Sequence, residues 1–207
     1  MRQNFQQTIL NLAHFLDHYF LLIFPTAVIA IERDWELGYG EALALGTPMY
    51  VALALATLPA GWLGDRLSRQ WLIGAFFIGC GGAGISTGLA TSPAGLAIGL
   101  TLLGACAAIY HPVGLAMVTE CARRPGRALA INGVYGNFGL AGAAVATGWL
   151  ADQFGWRSAF LIPGLVSVAV GTVYLFSIRR SGVGHKAGLK TSVPVSYTHL
   201  TLPTIQL

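Results

Sequence analysis

The chain has 207 residues, of which 55% are hydrophobic and only 10% charged, against about 25% charged in an average soluble chain. With a mean hydropathy of +0.64 it lacks the polar surface that keeps a globule in water, which excludes a soluble domain. Twelve Lys and Arg against eight Asp and Glu give a net charge of +4, a balance that in a membrane protein reports topology before it reports a nucleic-acid partner.

Six stretches reach the about 20 predominantly apolar residues that a spanning helix needs. They are Thr8–Ile31, Ala42–Leu63, Trp71–Ala90, Ala94–Val118, Ala128–Leu150 and Ser158–Ile178. Because each run is continuous and not alternating, they read as helices and not as barrel strands. The first run is too long and too polar for a cleavable signal peptide. It carries His14, Asp17 and His18, and at 100° per residue these three share one face. An ionisable group inside a membrane helix costs at least ~2.5–3.5 kcal/mol on insertion scales, so each is a functional candidate. Asp17 falls about half-way across the bilayer at ~1.5 Å per residue and suits reversible protonation, with His14 and His18 modulating it. The competing reading of Asp17 is a structural hydrogen bond to a neighbouring helix. His-x-x-Asp-His at helical spacing could also be a metal triad, but nothing else in the chain supplies a further ligand convincingly, and the expectation is no metal and no cofactor.

The first connection holds Glu32, Arg33, Asp34, Glu36 and Glu41, a net charge of −3. The second run ends in Gly61-Trp62-Leu63-Gly64-Asp65-Arg66, followed by Arg69. The third is rich in glycine (Gly74, Gly79, Gly81, Gly82, Gly84, Gly88), as is the fifth (Gly133, Gly136, Gly139, Gly142); both read as close-packing faces. The fourth carries Tyr110 and His111 before Pro112, a kink that frees a backbone carbonyl. The fourth connection has Arg123, Arg124 and Arg127 against Glu120. In the fifth run Asn132, Tyr135 and Asn137 join Tyr110 and His111 as a substrate-contact cluster, or else as interhelical hydrogen bonds of ~0.6 kcal/mol each. Cys80, Cys106 and Cys121 have no paired spacing and read as small packing residues.

With the N-terminus in the cytoplasm, ten of the twelve basic residues fall inside, as the positive-inside rule requires. The positive balance is therefore topological, with anionic lipid headgroups as a secondary partner and no nucleic acid. Gly61–Arg66 recurs as Gly148-Trp149-Leu150-Ala151-Asp152-Gln153, an offset of 87 residues that also relates Pro25 to Pro112. Three helices are an odd number, so the two copies enter the membrane from opposite sides. Inverted repeats of this kind are characteristic of secondary transporters, whose site lies near the midplane between repeats. The plainer reading of the match is a convenient helix end, with Trp at the interface and Asp in water.

Gly61 to Gln70 resembles the loop signature of the major facilitator superfamily, Gly-x-Leu-Ala-Asp-Arg-x-Gly-Arg-Arg/Lys, with Ser68 and Gln70 replacing a glycine and the last basic residue. Gly155-Trp156-Arg157-x-x-Phe160 is similar to the same superfamily. Tyr110-His111-Pro112 and Asn132-Gly133-x-x-Gly136-Asn137 resemble its fosmidomycin-resistance-like exporter groups. The resemblance implies an all-α integral membrane fold, with six transmembrane helices as two inverted three-helix repeats over residues 1–180. It implies a cytoplasmic gate of Gly61, Asp65, Arg66 and Arg69 engaging Arg123, Arg124 and Arg127. It further implies a transporter and not an enzyme, in the inner membrane of a bacterium, moving a small organic solute with protons by alternating access. Members carry twelve helices or more, so the chain reads as the N-terminal half, lacking its C-terminal six-helix half. No proline follows the glycines of the fifth run, where antiporters of the family carry Gly-Pro, so export by antiport gets no support.

Residues 181–194 read as the start of an inter-half linker. Val195 to Thr204 matches the in-frame translation of a transposase-type sequencing adaptor, so 195–207 reads as an assembly artefact, and Tyr197 and His199 are excluded from any site. The alternative to a half-transporter is a complete six-helix sensor or binding protein acting as a dimer. A third reading is an intramembrane metal or haem enzyme using His14, Asp17, His18 and His111.

Overall fold

In a computed structural model of the chain, which describes residues 3–180, six long apolar helices follow one another with short corners. They are α1 (Gln3–Trp35), α2 (Tyr39–Arg66), α3 (Arg69–Gly88), α4 (Pro93–Glu120), α5 (Pro125–Phe154) and α6 (Trp156–Arg180). Among the described residues there is no strand. Arg2, the 181–194 linker and the adaptor-like 195–207 lie outside the described residues.

All the helices but α3, which is shifted two residues toward the N-terminus, outrun their apolar cores, because the backbone keeps its hydrogen bonds after the side chains turn polar. Glu32 to Asp34, read as loop, complete the last turn of α1, which ends where Glu36 takes φ 53°, the left-handed geometry of many helix ends. The second helix likewise runs past its expected end at Leu63: Gly61 to Arg66 form the last turns of α2, and the corner to α3 is only Leu67 and Ser68. Asp152 and Gln153 lie inside α5, and a single residue, Gly155 at φ 82°, turns the chain into α6. Only glycine adopts that conformation without strain.

Two helices are interrupted. α2 begins as Tyr39–Ala44, breaks at Leu45 and Gly46, and resumes at Thr47 with Pro48 in the first turn, where a missing N–H costs nothing. The bare face of Gly46 accepts the ring of Phe24 from α1. α4 runs regularly over Pro93–Ala107, widens into a π-turn over Tyr110–Gly114 and closes as Leu115–Glu120. Pro112 has no N–H to give, and the chain absorbs the loss by widening instead of by the simple kink read from the sequence.

α1 lies along α5, α2 along α4, and α3 along α6. Exchanging helices one to three with four to six maps the first pairing onto the second and the third onto itself. That is the contact pattern of two inverted three-helix repeats. The repeat-related Trp62 and Trp149 are 55% and 57% exposed, equivalent positions at opposite ends, as interfacial tryptophans are placed. Glycine sets the close approaches, since lipid offers no hydrophobic drive between helices. A Cβ at Gly139 would land on the Phe15 carbonyl of α1, one at Gly104 on the Met49 carbonyl of α2, and one at Gly81 would come 2.7 Å from the Gly164 carbonyl of α6. Two glycines read as packing do not pack: Gly82 and Gly133 face open space.

Candidate functional site

Near the middle of α1, His14, Asp17 and His18 project toward α4 and α5. Asp17 is fully buried and His14 only 6% exposed. The π-turn of α4 supplies Tyr110 and His111, and α5 supplies Asn132. His111 Nε2 lies 3.2 Å from Asp17 Oδ2. The two atoms are close but not aligned for a hydrogen bond, and neither Asp17 oxygen has a hydrogen-bond partner. The three imidazoles sit together, with ring centroids 4.6 Å apart for His14 and His18, 5.4 Å for His14 and His111, and 5.6 Å for His18 and His111. His111 is 44% exposed on its side chain, so the cluster opens on that side.

A second layer holds the first in place. His14 Nδ1 is 2.8 Å from the carbonyl of Asn132, and its ring stacks on Tyr110 at 4.9 Å. Asn132 Nδ2 donates to Leu10 O at 3.2 Å and Asn11 Oδ1 at 3.0 Å. Tyr110 Oη lies 3.1 Å from Leu10 O and 3.0 Å from Asn132 Oδ1, sharing one proton between two acceptors. These bonds tie α1, α4 and α5 at one level. Gly136 leaves room for His14: a Cβ there would come 2.8 Å from Nε2. Of the residues read as a contact cluster, Tyr110, His111 and Asn132 meet the α1 triad. Tyr135 and Asn137 lie on the exposed side of α5 and do not join it.

At the basic end the signature residues take specific partners. Arg69, first in α3, donates from Nε to Gly64 O at 3.0 Å, filling a free carbonyl at the end of α2. Its guanidinium also pairs with Glu120 at the end of α4, and reaches Asp65 at 3.4 Å. Arg66 instead lies over the Trp62 ring at 4.1 Å. The expected pairing of Asp65 with Arg123, Arg124 or Arg127 is not what the fold shows. Among the described residues no ion pair involves those three arginines, which are exposed or at a helix end, while Asp65 turns along its own helix to the nearer Arg69. Glu120 is the partner the sequence reading missed, although it is the lone acid of that connection. Gly61 and Gly64 seat α2 on the π-turn, with Cβ positions 3.5 Å from Pro112 and 2.9 Å from Val113. The signature segment and the buried cluster thus share one irregular turn.

The opposite end carries a second knot that the sequence reading also missed. Arg157 donates to Asp34 Oδ2 at 3.0 Å and Ala90 O at 3.3 Å, and stacks over Trp156 at 4.3 Å. Trp156 Nε1 donates to the same Asp34 oxygen at 2.9 Å. The Gly-Trp-Arg run was the available signal.

Residues 9–203 match the family described as Major Facilitator Superfamily. Among curated proteins, the chain is 29% identical to the tetracenomycin C resistance and export protein of Streptomyces glaucescens, over 72% of this chain and 29% of that one. It is 30% identical to the multidrug resistance protein B homolog of Mycobacterium tuberculosis, over 66% of this chain and 26% of that one. A gallate transporter of Pseudomonas putida is 28% identical over 68% and 32%. The chain therefore spans between a quarter and a third of the length of these relatives. Among solved structures, the fold is similar to an inward-facing bacterial homolog of the lysosomal transporter Spinster, with a TM-score of 0.72, 19% identity, and 84% and 43% of the two chains covered. A peptide transporter, POT, in complex with sulfate gives 0.72 at 17% identity, covering 86% and 38%.

Proposed function

Because the chain belongs to the Major Facilitator Superfamily, we propose that it is the N-terminal half of a secondary transporter that moves a small organic solute by alternating access, coupled to protons at Asp17. The observation that carries this reading is Asp17 itself. It is a fully buried carboxyl, with both oxygens free of hydrogen bonds, facing His111 on the open side of the cluster. A carboxyl in such a place is costly to keep and is retained where its charge does work. Protonation of Asp17 removes its attraction for His111. His111 rides on the π-turn against which Gly61 and Gly64 of α2 rest, so the change is delivered to the helix end held by Arg69 and Glu120. The basic end faces the cytoplasm of a bacterial inner membrane in this reading, and the Arg69 pairs hold the inner side closed until they part. As an exposed pair, Arg69 and Glu120 contribute about 0–1 kcal/mol, small enough to be broken within a transport cycle.

The relatives name two compounds to try first, tetracenomycin C and gallate. The test begins with the coding DNA downstream of codon 194 and reconstitution of the resulting protein in proteoliposomes. An imposed pH gradient is expected to drive flux of one of the two compounds. Asp17→Asn is expected to abolish the gradient-driven flux while leaving exchange of the solute across the membrane. Coupling that survives Asp17→Asn unchanged removes Asp17 from the mechanism.

A further inference from the structure

We propose that His14, His18 and His111 form a binding site for one divalent transition-metal ion of the imidazole-preferring class, such as Zn²⁺, Co²⁺ or Ni²⁺. On α1 alone, His14 and His18 lack a further ligand. The fold brings His111 from the π-turn of α4, and one ligand atom from each ring then lies within 4.8 Å of the others. Metal–nitrogen bonds of about 2.0–2.1 Å require each ring to move inward by less than about 1 Å, which side-chain torsions supply.

The state of the ring nitrogens agrees. A carbonyl only accepts hydrogen bonds, so the contact from His14 Nδ1 to Asn132 O places the proton of the neutral ring on Nδ1 and leaves the Nε2 lone pair bare. Nε2 is buried and has no partner, and the same holds for His18 Nδ1. A ligating histidine whose second nitrogen donates to a backbone carbonyl is the usual way a metal site fixes tautomer and ring orientation. Asp17 Oδ2 lies 3.2 Å from His111 Nε2 without an aligned hydrogen bond and puts a carboxylate beside the three rings. Three imidazole nitrogens suit late first-row ions, not Mg²⁺ or Ca²⁺, which take oxygen ligands. The exposed His111 side gives the ion a way in.

The test uses the full chain, purified in micelles with an affinity tag that contains no histidine, and titrated with Co²⁺. One equivalent is expected to bind with visible d–d absorption, to be displaced by Zn²⁺ and to resist excess Mg²⁺. His14→Gln and His111→Gln are each expected to weaken binding by more than the about 10–100-fold that losing a supporting partner costs. His185→Gln with His199→Gln is expected to change nothing. Should His14→Gln lose helix by circular dichroism, the exposed His111→Gln decides alone. Absence of the Co²⁺ bands in the wild-type chain, or their persistence when all three histidines are glutamine, overturns the site. Binding is read without transport, so its failure leaves the coupling role of Asp17 standing, and loss of coupling leaves the metal site standing.

Discussion

Asn132 is the position where the packing argument meets its sharpest test. Its side chain is fully buried between α1 and α5 and makes three polar contacts: to Tyr110 Oη, Leu10 O and Asn11 Oδ1. Hydrogen bonds between membrane helices average ~0.6 kcal/mol each, so losing three amounts to about 2 kcal/mol. Two features pull the figure down. Tyr110 keeps Leu10 O as an acceptor at 3.1 Å, so its hydroxyl is not stranded, and leucine fills the volume with apolar atoms. Asn132→Leu is therefore expected to destabilise by about 1–2 kcal/mol. The measurement is reversible unfolding by SDS in mixed micelles, followed by far-ultraviolet circular dichroism. Asn137→Leu, five residues further along but on the exposed side of the same helix, is the control and should stay within about 0.5 kcal/mol of wild type. A double-mutant cycle with Tyr110→Phe should return a coupling near ~0.6 kcal/mol. An Asn132→Leu variant as stable as wild type, or an Asn137→Leu variant that loses as much, would show that the buried amide does not hold these helices together.

Two further outcomes are expected from the same unfolding assay. Gly139→Ala places a methyl on the Phe15 carbonyl and should cost about 1–3 kcal/mol by forcing α1 and α5 apart. Gly133→Ala meets open space six residues earlier and should be neutral or stabilising by up to about 1 kcal/mol through helix propensity; the opposite ranking would refute the close-approach assignment. Arg157→Lys keeps the charge but not the planar fork that spans Asp34 and Ala90 or the stack on Trp156, so a loss of about 1–2 kcal/mol is expected, together with a change in Trp156 fluorescence; retention of both would show that the charge alone sufficed.

Much of this molecule was legible in one dimension. Number of spans, helical character and repeat follow from continuous apolar runs and from an offset of 87 residues, because a bilayer imposes length and polarity on each segment separately. Asp17, His14 and His18 were legible for the same reason, since an ionisable side chain in an apolar run stands out wherever it points. Helix ends were less legible, because a helix does not stop where hydrophobicity does; the second run was bounded at Leu63 and its helix continues through Arg66.

Partners belong to the tertiary structure. Asp65 and Glu120 are both acids beside a basic run, and only the fold decides that Arg69 reaches both while Arg123, Arg124 and Arg127 take neither. Tyr135, Asn137 and Asn132 look equivalent within six residues of α5, yet rotation of the helix buries one and turns the other two outward. The meeting of His14 and His18 with His111 spans about a hundred residues of chain and depends on the π-turn at Pro112. The sequence by itself determined that this is a six-helix membrane chain with charge buried in its first helix, because solvent acts on each residue where it stands. Which side chains face that charge was decided by helix rotation and close approach through glycine, which no single segment contains.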